Sequence, residues 1–130
     1  MATQTAKGSF AVKTTPTPET SKVGETSLGK FLVQKTFSGD LQGTSEFFMH
    51  TAGSDSGAAA YVAIEVFTGT LNGKSGSFVL MHRGTMSKTA QELVIIIAPE
   101  LATGELKGLT GKFTINIVNK EHFYEMEYSL

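Results

Sequence analysis

Along most of the chain, apolar and polar positions alternate or gather in short runs. No window sustains a 3.6-residue apolar repeat over ten residues or more. Alternation marks strands with one buried face, because successive side chains point to opposite sides. YVAIEVFTGTL, from Tyr61, and KSGSFVLMH, from Lys74, are two such runs, and Asn72-Gly73 lies between them. Asn-Gly between strand-like runs predicts a two-residue hairpin, since a type I′ turn needs positive φ at both central residues. Fourteen glycines against three prolines, with many Thr, Val, Ile and Phe residues, point the same way. The chain reads as all-β.

The phrase G-x-L-x-G-x-[S/T]-x-x-F occurs three times: GDLQGTSEFF from Gly39, GTLNGKSGSF from Gly69 and GELKGLTGKF from Gly104. By position, the outer copies turn at Gln42-Gly43 and Lys107-Gly108, keeping the Gly and losing the Asn. Three hairpins then pair strands 27–38 with 43–52, 58–71 with 74–84, and 91–99 with 109–118. A strand at 7–14 precedes them and one at 122–130 follows a tight turn near Asn119-Lys120. Eight antiparallel strands without a helix must hide their edges. The predicted architecture is a closed eight-stranded antiparallel up-and-down (meander) barrel spanning residues 1–130 as one domain, with an open sandwich as the alternative. The repeat turns lie at one end. The links at 52–58 and 84–91 lie at the other, with TTPTPETSKVGE as an ordered loop or a tether.

Register decides which side chains share a face. A turn at Asn72-Gly73 sets Leu71 against Lys74, Phe67 against Phe78, Glu65 against Leu80 and Ala63 against His82. One face then carries Tyr61, Ala63, Glu65, Phe67, Phe78, Leu80 and His82. The first hairpin adds Phe37 against Phe48 and Lys35 against His50. In the last, Ile117 meets His122, Ile115 meets Tyr124 and Phe113 meets Met126, while Lys112, Thr114, Asn116, Glu125 and Glu127 share the opposite, hydrophilic face. The Phe-bearing face is therefore read as the interior. Val62, Ile64, Val66, Val79, Met81, Leu93, Ile95 and Ile97 then point outward, an apolar patch of the kind that marks an interaction surface. The expectation is a homo-oligomer, a dimer before a trimer. Coverage of these strands by the chain's own loops is the alternative.

The interior face also carries polar groups: Tyr61, Glu65 and His82, with Lys35, Glu46, His50, His122 and Tyr124 further round. An apolar lining with sparse, convergent polar groups suits a small apolar or amphipathic ligand, and Tyr61, Glu65, His82 and Tyr124 are the candidate ligand-binding residues. Glu65 and His82 lie diagonally across one hairpin. A carboxylate orienting an imidazole is a common general-base arrangement. A buried pair that only satisfies itself is the structural alternative. The three His residues show no metal-ligand spacing, and no helix follows the Gly-rich phrases to make a phosphate loop. No G-x-S-x-G elbow is present, and the serines of GKSGSF fall on the face opposite His82. No metal or cofactor is expected.

Absence of cysteine excludes disulfides and thiolate chemistry and leans toward the cytoplasm. Residues 1–20 contain no apolar signal segment, and the longest apolar run, LVIIIA at 93–98, is far short of the ~20 residues that span a bilayer. A net charge of −1 with scattered Lys and Arg offers nothing to a phosphate backbone. Neither a membrane nor a nucleic-acid partner is expected.

YVAIEVFTGTLNGKSGSFVLMHRGTM (61–86), ATGELKGLTGKF (102–113) and HFYEMEYSL (122–130) resemble a family of small, mostly bacterial proteins classed as a domain of unknown function, which shares the barrel of plant allene oxide cyclase. The shared phrases fall on Tyr61 to Glu65, Thr68 to Phe78, His82 to Met86, Thr103 to Gly111 and His122 to Tyr128, over roughly residues 27–130. Ala60 stands where the family pattern has Gly. The resemblance implies an allene oxide cyclase-like eight-stranded meander, but no activity. The plant enzyme's fatty-acid epoxide implies that such a barrel can hold an extended apolar ligand, and its trimers imply assembly. Three readings stand: a small-molecule binding module, an isomerase or cyclase using Glu65 or His82 as proton carrier, and a filled barrel acting through its outer surface.

Overall fold

The computed structural model describes residues 3–130. The strands are β1 (Gln4–Pro16), β2 (Ser21–Val23), β3 (Thr26–Gly39), β4 (Leu41–Gly53), β5 (Ala59–Leu71), β6 (Lys74–Met86), β7 (Gln91–Ile97), β8 (Thr110–Val118) and β9 (Glu121–Ser129). From β3 to β9 each strand pairs with its neighbour, and β1 pairs with both β9 and β3. That double pairing closes an eight-stranded antiparallel up-and-down barrel, as expected. β1 spans the seam: its first half runs along β9 from Gln4↔Tyr128, its second along β3 to Pro16↔Phe31. β2 stands outside the closed circuit, a three-residue arm against the start of β3. TTPTPETSKVGE is thus ordered at the rim.

The two hairpins whose turns carry their own code keep the expected register. β5 and β6 pair from Ala59↔Met86 to Leu71↔Lys74 about Asn72-Gly73, both at positive φ. β8 and β9 pair through Ile117↔His122, Ile115↔Tyr124 and Phe113↔Met126 about Asn119-Lys120, again both at positive φ.

The other two phrases behave differently. β3 reverses about Asp40, not at Gln42-Gly43, so that Phe37 faces Gly43 rather than Phe48 and Lys35 faces Ser45 rather than His50. The shift is five residues, an odd number, and an odd shift turns every side chain of β4 over. Ser45 and Phe47 therefore point inward, while Glu46, Phe48 and His50 face solvent. In the third phrase Lys107-Gly108 closes no hairpin. Gly104–Leu106 form a 3-10 turn, and β7 touches β8 only at Ile95↔Phe113 and Ile96↔Lys112. Residues 98–109 instead run along β6, where Thr103 N–H donates to the Ser77 carbonyl at 2.8 Å and Ser75 N–H to Glu105 at 3.0 Å. Leu106 and Leu109 are carried under the barrel and fully buried there.

The phrases share a packing device rather than a turn. Gly43 faces Gly69 across β4 and β5, and a Cβ on Gly43 would stand 2.2 Å from the Thr68 carbonyl oxygen. Gly76 and Gly104 meet similarly: a Cβ on Gly76 would stand 2.1 Å from the Thr103 carbonyl oxygen. Paired glycines let neighbouring backbones close in on one another.

The interior has two levels. The lower is packed solid by Phe37, Leu41, Phe67, Leu71, Phe78, Leu80, Leu106, Leu109, Phe113, Tyr124 and Met126. Phe37 sits at its centre, edge-on to Phe67 and Tyr124 with ring centroids 5.2 and 5.8 Å away. The upper level holds a smaller cluster of Val33, Phe47 and Ala63.

Outside, Val62, Ile64, Val66 and Met81 are exposed as expected, and Val79 is half-buried. Ile95 and Ile97 are buried instead, because Ile95 stands opposite His82, an interior position. Their place outside is taken by Ile96. Leu93 shares the inward parity of Ile95 and lines the open upper end of the lumen.

Candidate functional site

Among the described residues, four polar side chains are buried in the barrel: Lys35, Ser45, Glu65 and His82. They arrive from four consecutive strands, β3 to β6, and converge on one carboxylate. Lys35 Nζ donates to Glu65 Oε1 at 3.1 Å, His82 Nε2 stands 2.7 Å from the same oxygen, and Ser45 Oγ donates to Oε2 at 2.5 Å. Parity explains why they share the interior. Glu65 and His82 lie one step apart across the β5–β6 ladder, while Lys35 and Ser45 face each other on β3 and β4.

Burial alone pushes the Glu65 carboxyl up. The hydrogen bond from His82, the charge of Lys35 and the Ser45 hydroxyl outweigh it and hold the group below its ordinary range. Glu65 is therefore an anion, and an anionic carboxylate only accepts hydrogen bonds. His82 must carry its proton on Nε2. Its Nδ1 makes no hydrogen bond to a described residue, yet among the described residues no buried polar side-chain atom lacks a partner, so Nδ1 is open to the space above. Burial likewise pushes the Lys35 ammonium below its ordinary value, and the attraction of Glu65 restores only part of that. Aromatic faces surround Nζ, with Phe10 at 4.7 Å and Phe47 at 5.2 Å from it. Phe47 also stacks on the His82 ring at 5.5 Å.

Above this cluster the lumen is open. A cleft of about 450 Å³ is walled by Val12, Val33, Phe47, Met49, Ala63, Leu93 and Ile115, and Lys35 and His82 reach its floor. Glu65 lies behind them and does not line it. Tyr61 forms part of the wall and packs against Gly84, where a Cβ would fall 2.3 Å from the ring. Burial pushes its hydroxyl pKa up, so it remains a neutral donor. His122 lies at the same opening, packed on Phe10 at 5.2 Å.

Three of the four sequence-predicted residues thus meet: Tyr61 on the wall, His82 on the floor and Glu65 beneath it. Tyr124 goes elsewhere. Its hydroxyl accepts from Leu41 N–H at 2.8 Å and donates to the Ser38 carbonyl at 2.9 Å, tying the β3–β4 turn to β9 in the packed lower level. The burial that hides it also raises its pKa. Glu46 and His50, expected inside, stand on the outer surface. Ser45 was missed for the same reason, the misplaced β3–β4 turn. Gly39-Asp40 between two strand-like runs was the local signal that marked that turn.

Among the described residues, no three His, Asp or Glu side chains gather as a metal site, and no helix is long and apolar enough to cross a membrane. No curated protein matches the chain. A crystal structure of a protein of unknown function from the DUF3224 family of Shewanella oneidensis MR-1 is similar throughout: 39% identity, TM-score 0.91, covering 99% of this chain and 98% of that one. Residues 6–128 match the family described as "Protein of unknown function (DUF3224)", and the chain belongs to that family.

Proposed function

We propose that this protein is a small-molecule binding module, holding an apolar or amphipathic ligand in the open upper end of the barrel. One observation carries the reading: a cleft of about 450 Å³ with apolar walls and two polar groups, Lys35 and His82, at its floor. Binding sites for small molecules are typically of this size and composition. The packed lower level supports it too, since it gives the ligand a rigid floor. An isomerase or cyclase working through Glu65 fits less well, because Glu65 reaches the cleft only through Lys35 and His82. The test is native mass spectrometry of protein purified gently from cells. A reproducible small-molecule adduct is expected, lost when Ala63→Phe fills the cleft. Bare wild-type protein that also fails to bind an apolar dye saturably would refute the reading.

We infer in addition that the outer face of β5 to β7 docks a second copy of the chain. Leu32, Phe48, Ile64, Met81 and Ile96 form one row across five strands: Leu32 faces Phe48, Ile64 faces Met81 and Met81 faces Ile96. Phe48 and Ile64 lie between the pairs Glu46↔Val66 and His50↔Val62. An apolar face presented by every copy of the chain is buried most simply about a two-fold axis, where the same patch serves on both sides. Sedimentation should give a dimer that Ile64→Lys converts to folded monomer. A trimer, or a wild-type monomer, would overturn the two-fold assignment.

A further inference from the structure

Lys35 is the one lysine buried among the described residues; the others are exposed or half-exposed. An amine held at the floor of an apolar cleft, with its remaining N–H groups uncommitted, has a recognised chemical use. Desolvation favours the neutral, nucleophilic form, and a nearby group must carry protons for it.

We propose that Lys35 is a carbonyl-capturing lysine, forming a Schiff base with an apolar aldehyde or ketone that enters the cleft. Three features of the geometry support this assignment. Lys35 lines the cleft, and its Nζ is set among the Phe10, Phe37 and Phe47 rings at 4.7, 5.8 and 5.2 Å, an apolar setting for the amine. Glu65 Oε1 stands 3.1 Å from Nζ and 2.7 Å from His82 Nε2, so one anion is in contact with both the amine and the imidazole. His82 Nδ1 opens on the cleft with a free lone pair, placed to take up a proton and return it. The burial that depresses the ammonium of Lys35 acts in the same direction.

The step balances without an oxidant or reductant. His82 takes a proton from the ammonium, and the free amine attacks the carbonyl carbon, forming the C–N bond. The carbonyl oxygen gains protons, one from nitrogen and one back from His82, and leaves as water. The product is a protonated imine carrying the same single positive charge as the original ammonium. Glu65 balances the imine as it balanced the ammonium, so the buried charge is unchanged through the step. Ser45 holds the other carboxylate oxygen in place throughout.

This assignment rests on the cleft being a ligand site, and the experiment separates the two. The protein is incubated with octanal and sodium cyanoborohydride, digested, and the octyl adducts are mapped by mass spectrometry. In parallel, 1-octanol, which has the chain but no carbonyl, is used to displace an apolar dye. Labelling at Lys35 is expected to run roughly tenfold or more faster than at any exposed lysine, and 1-octanol should slow it. His82→Gln keeps a hydrogen-bond donor for Glu65 but cannot carry the proton, and should slow labelling at Lys35 by on the order of a hundredfold while surface lysines label as before. Adducts confined to surface lysines, with 1-octanol still displacing the dye, would overturn the lysine chemistry and leave the binding site standing. No Lys35 adduct and no displacement would remove both. Equal labelling of wild type and His82→Gln would overturn the role given to His82.

Discussion

His82 Nε2 lies 2.7 Å from Glu65 Oε1 at the level where the barrel changes from packed core to open cleft. Below this contact lie Phe67, Phe78 and Leu80, all fully buried; above it are Ala63 and the apolar walls of the cleft. The pair is one half of a larger unit, since Lys35 shares the same carboxylate oxygen from the opposite side. A charged cluster at this boundary has a physical logic. Deeper, it would lack the space that Lys35 and His82 face; higher, water would screen it.

Glu65→Gln tests the unit as a whole. Removing one partner of a buried ion pair leaves the other charge uncompensated, at a cost of about 3–5 kcal/mol. Urea unfolding should show that loss. Adding Lys35→Met to Glu65→Gln should recover part of it, because the orphaned ammonium is gone. A loss below about 1 kcal/mol for Glu65→Gln would mean that water, not Glu65, balances Lys35.

Acid should weaken the fold through the same carboxylate. Glu65 is held below its ordinary value of 4.5 by groups facing it from three strands: His82 from β6, Lys35 from β3 and Ser45 from β4. A carboxyl with a depressed folded-state pKa contributes stability that is present above the unfolded value and lost as pH falls through the folded one. Urea midpoints should therefore drop as the pH is lowered below about 4.5, and the drop should be shallower in Glu65→Gln. Lys35 has the complementary sign: its depressed pKa makes the folded state gain stability as pH rises toward the ordinary lysine value of 10.5. Parallel acid slopes for wild type and Glu65→Gln would exclude Glu65 as the group responsible.

Two glycines of the repeated phrases should respond differently to alanine. At Gly43 a Cβ meets backbone, the Thr68 carbonyl oxygen at 2.2 Å and Gly69 Cα at 2.8 Å, so the β4–β5 ladder must part. A loss of about 3 kcal/mol or more is expected. At Gly73 a Cβ meets nothing within 4 Å, and only its φ of 85° is unfavourable. That costs about 1–2 kcal/mol. Thermal unfolding of the two variants should rank them in that order, and the reverse ranking would undo the close-approach account of the phrase.

Tyr124→Phe separates structural from ligand-facing tyrosines. The lost hydroxyl leaves Leu41 N–H and the Ser38 carbonyl without their shared partner, a cost of about 1–3 kcal/mol. Dye binding in the cleft should be unchanged, because Tyr124 does not line it. Tyr61→Ala should do the opposite, weakening dye binding with little effect on stability. Loss of dye binding in Tyr124→Phe would bring that residue back to the site.

Much of this was legible before folding. Alternation along β5, β6, β8 and β9, with Asn72-Gly73 and Asn119-Lys120 between them, carried register, inner face and barrel class, because each rule is local: a turn residue able to adopt positive φ fixes which side chains oppose one another. The Glu65–His82 contact followed, lying one step apart on such a hairpin. GDLQGTSEFF and GELKGLTGKF misled because a glycine spelled the same way can serve a turn or a backbone-to-backbone contact. At Gly43 the deciding partner, Gly69, is on another strand.

What remained was decided by tertiary structure. Ser45 reaches Glu65 across 20 residues of chain because the reversal about Asp40 gave β4 its parity, and Lys35, expected inside, reaches it across 30 because the closed sheet sets β3 two strands from β5. Whether the lumen is filled or open depends on residues 98–109, which leave the sheet and carry Leu106 and Leu109 under the barrel, closing the lower end and leaving the upper free. Alternation can say that a side chain faces the lumen. How far the lumen is filled depends on the side chains of eight strands and one loop meeting at a common depth, and that depends on the stagger of the closed barrel.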